Sequence, residues 1–315
     1  MGRKNPRLYN GRPFKAALKR DLKMNKMLWL LAIPIIVYFF IFNYVPMFGL
    51  VMAFEDYKPI KGILGSQWVG LQNFKDFFMN PTFWQILRNT LMISLLDLVF
   101  AFPLGIVFAL LLNEMHAIKF KKVVQTISYM PYFVSMVVMC GLIIEFCATN
   151  GIITDLCVKL FHIERQNLLM NPKYFWAINL ISGIWQGLGY GSIVFVAAIT
   201  NASGELHEAA AIDGANRLQR VWHITMPAII PTISMMLILK CGMIMNVGSD
   251  KILLLYNPSV YETADVIATH VNRLGVEMAK YGYSTAVGLF NSVVGTILLL
   301  VSNWISGKMT ESQLF

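Results

Sequence analysis

The chain has 315 residues, of which 57% are hydrophobic and only 14% charged, and its mean hydropathy is +0.58. Soluble domains are roughly half apolar and a quarter charged, so this composition excludes an ordinary water-soluble domain and makes lipid the main solvent of the fold. The formal net charge of +9 is carried by a terminal tail and alternate loops, and that distribution explains it with no nucleic-acid partner.

Residues 1–26 form a basic tail containing Arg3, Lys4, Arg7, Arg12, Lys15, Lys19, Arg20, Lys23 and Lys26. It is expected to be cytoplasmic and to lie on anionic lipid headgroups. A helix rises about 1.5 Å per residue, so crossing a hydrocarbon core of about 30 Å takes about 20 apolar residues. Within a transmembrane domain at 27–315, six stretches meet this length, at 27–54, 86–113, 123–148, 174–200, 228–247 and 282–306. The first shares with a secretory signal only its basic flank. Its apolar run is too long and no small-residue cleavage site follows, so it is expected to remain as an anchor. Segments on the tail's side hold fifteen Lys/Arg and six Asp/Glu, whereas the alternate segments hold nine of each. The positive-inside rule then places both termini in the cytoplasm.

Three outer segments follow, at 55–85, 149–173 and 248–281. In the first, Trp68, Phe74, Phe77, Phe78, Phe83 and Trp84 suit a helix lying at the headgroup level. Inside the spans, Pro34, Pro46, Pro103, Pro131, Gly183, Gly187, Gly189 and Gly191 kink helices or let them pack closely. Arg88, Asp97, Glu145 and Lys240 are the charges within spans. Asp97 lies about 16 Å from the outer end of the second span and Lys240 about 18 Å from the inner end of the fifth, so both are near the midplane. Charge there costs several kcal/mol unless paired or hydrated. The two are expected to face the protein interior and to pair, either fixing the bundle or lining a polar translocation cavity. Sugars are held by hydrogen-bonding side chains and aromatic faces, which makes Trp185, Gln186, Tyr190, Asn246 and Asn291 candidates for a substrate pathway, with Tyr129, Tyr132 and Phe133 behind them. Packing is the competing reading for each aromatic. Cys140, Cys147, Cys157 and Cys241 form no CxxC pair, and His116, His162, His207, His223 and His270 are scattered, so no metal centre is expected.

Between the fourth and fifth spans runs NASGELHEAAAIDGANRLQRVWHITMPAIIP, residues 201–231, whose polarity contrasts with its surroundings. Asn201 or Ser203 can cap a first helix, with Glu205 favouring its dipole. Alanines 209–211 propagate that helix and Gly214 ends it. Leu206, Ala209 and Ala210 make a shallow apolar face with Glu208 and Asp213 beside it, suited to docking into another protein. Pro227 fits the first turn of the fifth span. No GxxxxGK[ST] occurs, and no polar cluster has catalytic spacing. The chain is therefore expected to translocate rather than to catalyse.

The order Glu208-Ala209-Ala210, Asp213-Gly214-Ala215, then Ile224 with Pro227 resembles the EAA, DGA, I-x-x-P coupling loop of permease subunits in type I, binding-protein-dependent ABC importers. Met226 stands where that family often has Leu. NYVPMFGLVMAFEDYKP at 43–59, WVGLQNF at 68–74, LYNPSVYETADVIATHVNRLG at 255–275 and STAVGLFNSVVG at 284–295 resemble the polysaccharide and complex-oligosaccharide branch, and the likeness covers residues 18–315. The resemblance implies an all-α type I permease fold with a cytoplasmic coupling loop near 201–227. Glu208 would contact an ATPase subunit, Ala209 and Ala210 would sit in its cleft, and Gly214 would permit the bend. It also implies a second homologous permease, two ATP-binding cassette subunits that hold ATP and Mg, and an extracytoplasmic sugar-binding lipoprotein. Carbohydrate would enter by alternating access across a bacterial plasma membrane. A self-sufficient secondary transporter or channel, and an ABC permease for a non-sugar solute, are the alternatives.

Overall fold

The computed structural model describes residues 8–9, 12–13, 22, 24–201 and 204–310. Most of the basic tail, including Arg3, Lys4, Arg7, Lys15, Lys19, Arg20 and Lys23, lies outside the described residues, as does the Ser203 cap. The described residues are mostly helical. Among the described residues the strands form two short antiparallel pairs, β1 (Leu8–Tyr9) with β2 (Arg12–Pro13) and β3 (Glu55–Asp56) with β4 (Gln67–Trp68).

In chain order the main helices are α1 (Lys26–Phe54), α2 (Phe83–Glu114), α3 (Ile118–Phe133), α4 (Met136–Cys147), α5 (Pro172–Thr200), α6 (Gly204–Ile212), α7 (Arg217–Gly242), α8 (Ser249–Leu255), α9 (Ile267–Asn272) and α10 (Tyr281–Thr310). Five of these, α1, α2, α5, α7 and α10, are long and apolar enough to cross a membrane. The single helix expected over 123–148 is instead two, α3 and α4, bent by 97°. Pro131 sits in a tight 3₁₀ turn, Met130–Phe133, after which Val134 and Ser135 are extended and Ser135 Oγ accepts from the Val138 N–H to start α4. A twelve-residue α4 reaches only about 18 Å, too short to cross alone.

The fifth span departs from expectation at both ends. Hydropathy puts it at 228–247, but α7 begins at Arg217 and stops at Gly242. A capping box starts it: Asn216 Oδ1 accepts from the Gln219 N–H at 2.9 Å, and Gln219 Oε1 accepts from the Asn216 N–H at 2.8 Å. Pro227 therefore opens the α-helical stretch Met226–Gly242, but inside a rod that is already running. Directly before it, Val221–Thr225 widens to a π turn. Similar turns, Phe40–Tyr44 and Asp97–Ala101, precede Pro46 and Pro103. A proline has no N–H and its ring crowds the carbonyl four residues back; a widened turn gives that carbonyl room and keeps the helix continuous.

Toward the α6 end, α2, α5 and α7 share a core of Ala109, Phe195, Ile199 and Ile229. At the opposite end Phe77, Phe83, Ile86, Met245, Ile267 and Val287 form another. Phe77 and Phe83 were expected at the headgroup level and are core residues instead, because Phe290 of α10 packs on Phe77. Trp68, Phe78 and Trp84 do remain exposed.

The segments expected outside the membrane are stitched together. Asn89, fully buried, donates to the carbonyls of Glu262 and Asp265, both at 3.0 Å. Arg88 donates to the Glu262 carbonyl, and Trp176 Nε1 donates to that of Thr263 at 2.7 Å. The strap at 257–266 thus ties α2 to α5, and Arg88, charged within a span, is accounted for by its contact with it. Asp265, 3% exposed, accepts from Thr269 Oγ1 at 2.7 Å and from both terminal nitrogens of Arg273 at 3.1 and 2.5 Å.

Removing one partner of a buried ion pair strands the other charge, at a cost of about 3 to 5 kcal/mol. Arg273→Ala is accordingly expected to lower the thermal unfolding midpoint of the detergent-purified protein markedly. The double change Asp265→Asn, Arg273→Met should lower it less. Equal midpoints for wild type and Arg273→Ala would contradict the account.

Candidate functional site

A cavity of about 320 Å³ opens among α2, α5, α7 and α8. It lies within the size range of small-molecule sites, about 300 to 1,000 Å³. Asp97 and Lys240 line it and are in contact, Lys240 Nζ donating to Asp97 Oδ2 at 2.6 Å. Asp97 opens the π turn of α2. Lys240 stands near the end of α7, where the chain leaves helical geometry at Met243. Asn246 comes from the connection beyond it, and Asn179, Gly183 and Lys251 complete the polar side of the wall. Ser94, also lining the cavity, donates its hydroxyl to the Ile244 carbonyl, which fixes the break after α7 against α2.

The pair is not hidden within the chain. The side chains of Asp97 and Lys240 are 45% and 48% exposed. Hydrocarbon does not tolerate that exposure, so this face of the bundle meets water or another polypeptide.

Of the five pathway candidates the cavity takes in only Asn246. Gln186 and Tyr190 share a face of α5 with Asn179 and Gly183, because spacings of four, three and four residues keep one side of a helix. That stripe runs about 16 Å from Asn179 to Tyr190. At its far end Tyr190 stacks on Tyr132, rings 3.7 Å apart and nearly parallel, with Phe133 edge-on. A Cβ on the neighbouring Gly189 would fall 2.2 Å from the Ser128 carbonyl oxygen, so only glycine lets α3 come close enough for this stack. Trp185 points off the stripe and is half exposed, and Asn291 lies on α10 away from the cavity. Asn179 and Lys251 were missed by the sequence reading. Lys251 belongs to a segment that the sequence assigns to an outer loop, and the fold turns it back into the bundle.

The second feature is α6 and the turn after it. Gly214 has φ +80°, a backbone geometry that costs other residues energy. Around it the Ala215 N–H donates to the Ala210 carbonyl at 2.9 Å and the Gly214 N–H to that of Ala211 at 3.2 Å, a Schellman termination. Glu208, Ala209 and Asp213 are exposed, and Ala210 and Ala215 are half-buried. Leu206, Ile212, Leu218 and Trp222 are 57%, 87%, 80% and 69% exposed. Of these, only Leu206 is expected from the sequence, as part of the shallow apolar face with Ala209 and Ala210. Apolar residues inside an otherwise polar loop were the available signal for Ile212, Leu218 and Trp222. Such a cluster suits burial by a partner.

Residues 101–311 match the family described as binding-protein-dependent transport system inner membrane component. Protein LplB of Bacillus subtilis (strain 168) is 44% identical over 306 residues, covering 97% of this chain and 95% of that protein. The polygalacturonan/rhamnogalacturonan transport system permease protein YteP of the same organism is 41% identical over 294 residues, covering 93% and 92%. A chain in the crystal structure of a bacterial alginate ABC transporter, in complex with alginate pentasaccharide-bound periplasmic protein, superposes with a TM-score of 0.85 at 38% identity. That match covers 94% of this chain and 99% of the other.

If Asp97 and Lys240 hold each other, reversing either charge alone sets two like charges together. Asp97→Lys or Lys240→Asp is expected to cut the yield of monodisperse protein from membranes severalfold, and the exchange Asp97→Lys, Lys240→Asp to recover most of it. Recovery no better than in the single variants would contradict the pairing.

Proposed function

We propose, from the premise that this chain belongs to the binding-protein-dependent transport system inner membrane components, that it is one of two permease subunits of an ATP-driven carbohydrate importer. It is a transport subunit and not an enzyme. The carbohydrate cargo is supported by its relatives, one of them a polygalacturonan/rhamnogalacturonan transport system permease protein and another a chain of an alginate ABC transporter. Counting the bent pair α3–α4 as one crossing gives six spans over 27–315, and the positive charge of the tail and alternate loops supports cytoplasmic termini in a bacterial plasma membrane.

The observation that carries the reading is α6 with its Schellman turn: an exposed, partner-ready helix at the expected cytoplasmic end, bearing Glu208, Ala209, Ala210, Asp213, Gly214 and Ala215. ATP and Mg are held by two partner ATPase subunits, whose closure moves α6. After the Asn216 cap the chain enters α7, a single helix that passes Pro227 and brings Lys240 to the cavity about 35 Å from Arg217. Displacement of the docking helix is thus delivered along one rod to the ion pair. The half-exposed face with Asp97 and Lys240 meets the second permease across the pathway, and alternating access opens it to either side in turn. An extracytoplasmic sugar-binding lipoprotein delivers cargo to the stitched outer segments.

The test is the complete importer in proteoliposomes with its binding protein. Glu208→Ala and Gly214→Val are each expected to cut sugar uptake by about tenfold or more, comparable to losing a charged docking contact, with membrane levels unchanged. Normal uptake in both would contradict the coupling role. Sugar uptake by the chain without ATPase subunits would favour a secondary transporter, and uptake of non-sugar solutes alone would overturn the cargo.

A further inference from the structure

We propose that Lys251 is a carboxylate-reading site in the pathway, and hence that the carbohydrate passing this subunit is acidic, carrying uronate groups. The inference rests on the cavity being the path of a carbohydrate.

The cavity wall carries two ammonium groups and one carboxylate: Lys240, Lys251 and Asp97. Asp97 is already engaged by Lys240 at 2.6 Å. Among the described residues no carboxylate lies within ion-pair distance of Lys251. Yet Lys251 is only 9% exposed, while forming part of the wall. An ammonium carries three donors, and Lys251 uses one of them on the Asn179 carbonyl at 2.6 Å. Its Nζ sits 3.4 Å from where a Cβ on Gly183 would stand, well down α5 from that helix's outer end at Pro172.

A buried ammonium with no carboxylate in contact is costly, even with Asp97 acting on it from farther off, and holding one backbone carbonyl does not require it, since a neutral donor does the same. What an ammonium adds in a polar cavity, over a neutral donor, is recognition of a negative charge. A carboxylate on a sugar ring supplies that partner, and its charge-assisted hydrogen bond to an ammonium is about twice as strong as a neutral one. Asn179, Asn246 and Ser94 around it offer the neutral polar surface that ring hydroxyls need. The Asp97–Lys240 pair repels no anion on balance, because its charges cancel.

The experiment compares lysine and carboxylate together. Complete importers with wild-type Lys251, Lys251→Gln, Lys251→Met and Lys251→Arg are placed in proteoliposomes with one binding protein. Uptake is measured for tetrasaccharides from pectin and alginate and for their carboxyl-reduced, neutral counterparts. The binding protein's own preference cancels when the acidic-to-neutral ratio is compared between variants. The proposal expects Lys251→Gln or Lys251→Met, whichever assembles, to lower that ratio at least about tenfold, and Lys251→Arg to retain it.

Equal loss for acidic and neutral sugars points to a structural role or to a carboxylate on the second permease, and overturns the proposal. So does an unchanged ratio, or wild-type uptake of neutral tetrasaccharides alone. Those outcomes leave carbohydrate import standing. Absence of any ATP-dependent saccharide uptake by the wild type would instead sink the reading beneath it.

Discussion

A half-exposed ion pair on the flank of a membrane helix bundle restricts every other choice the fold makes. Asp97 and Lys240 attract each other at 2.6 Å, but nearly half of each side chain is open. Lipid charges several kcal/mol for such exposure, and water or a partner polypeptide does not. On the proposed reading, the helices that present the pair are those that face the second permease across a wet path. The apolar surfaces elsewhere, such as Leu104, Leu111 and Val107 on α2, suit lipid. Orientation of the whole subunit follows from where two charges can be tolerated.

The two ends of the molecule are built differently. At one end, side-chain amides and an indole clamp backbone carbonyls of the strap at 257–266, with Asp265 and Arg273 neutralising each other in the interior. This end is rigid by hydrogen bonding. At the other, α6 displays Ile212, and the start of α7 Leu218 and Trp222, with little covering them. Between the two, three π turns let prolines sit within continuous helices. Such turns preserve the rod while placing weaker hydrogen-bond geometry at fixed points, where a helix can yield without unfolding.

Sequence reading recovered what depends on periodicity and charge and lost what depends on tertiary closure. The spans at 27–54, 174–200 and 282–306 correspond to α1, α5 and α10 within a few residues, since lipid-length apolar runs leave little freedom. α7 was misplaced because Arg217, Gln219, Arg220 and His223 are polar, and hydropathy does not register a helix that begins in water. α3 and α4 read as one run because proline only marks a break; the 97° turn is set by how the halves pack. Asp97 and Lys240 were matched by depth alone, and they meet. Lys251 was unreadable, since a lysine in a loop is ordinarily solvated and only the return of α8 into the bundle buries it. Tyr190 was singled out as aromatic, but its stack on Tyr132 needed the close approach at Gly189.

The central claim is that the Asp97–Lys240 face lines an alternating aqueous path. It is tested most directly by solvent access to Asn246 in the assembled, reconstituted transporter. With the four native cysteines replaced, Asn246→Cys would be exposed to a membrane-impermeant thiol reagent from the outside, both without nucleotide and after trapping with ATP and vanadate. Leu111→Cys, on a lipid-suited surface, serves as the control. The account predicts that Asn246→Cys labels in one state and is protected in the other, while Leu111→Cys labels in neither. Identical labelling of Asn246→Cys in both states, or none in either, would contradict it.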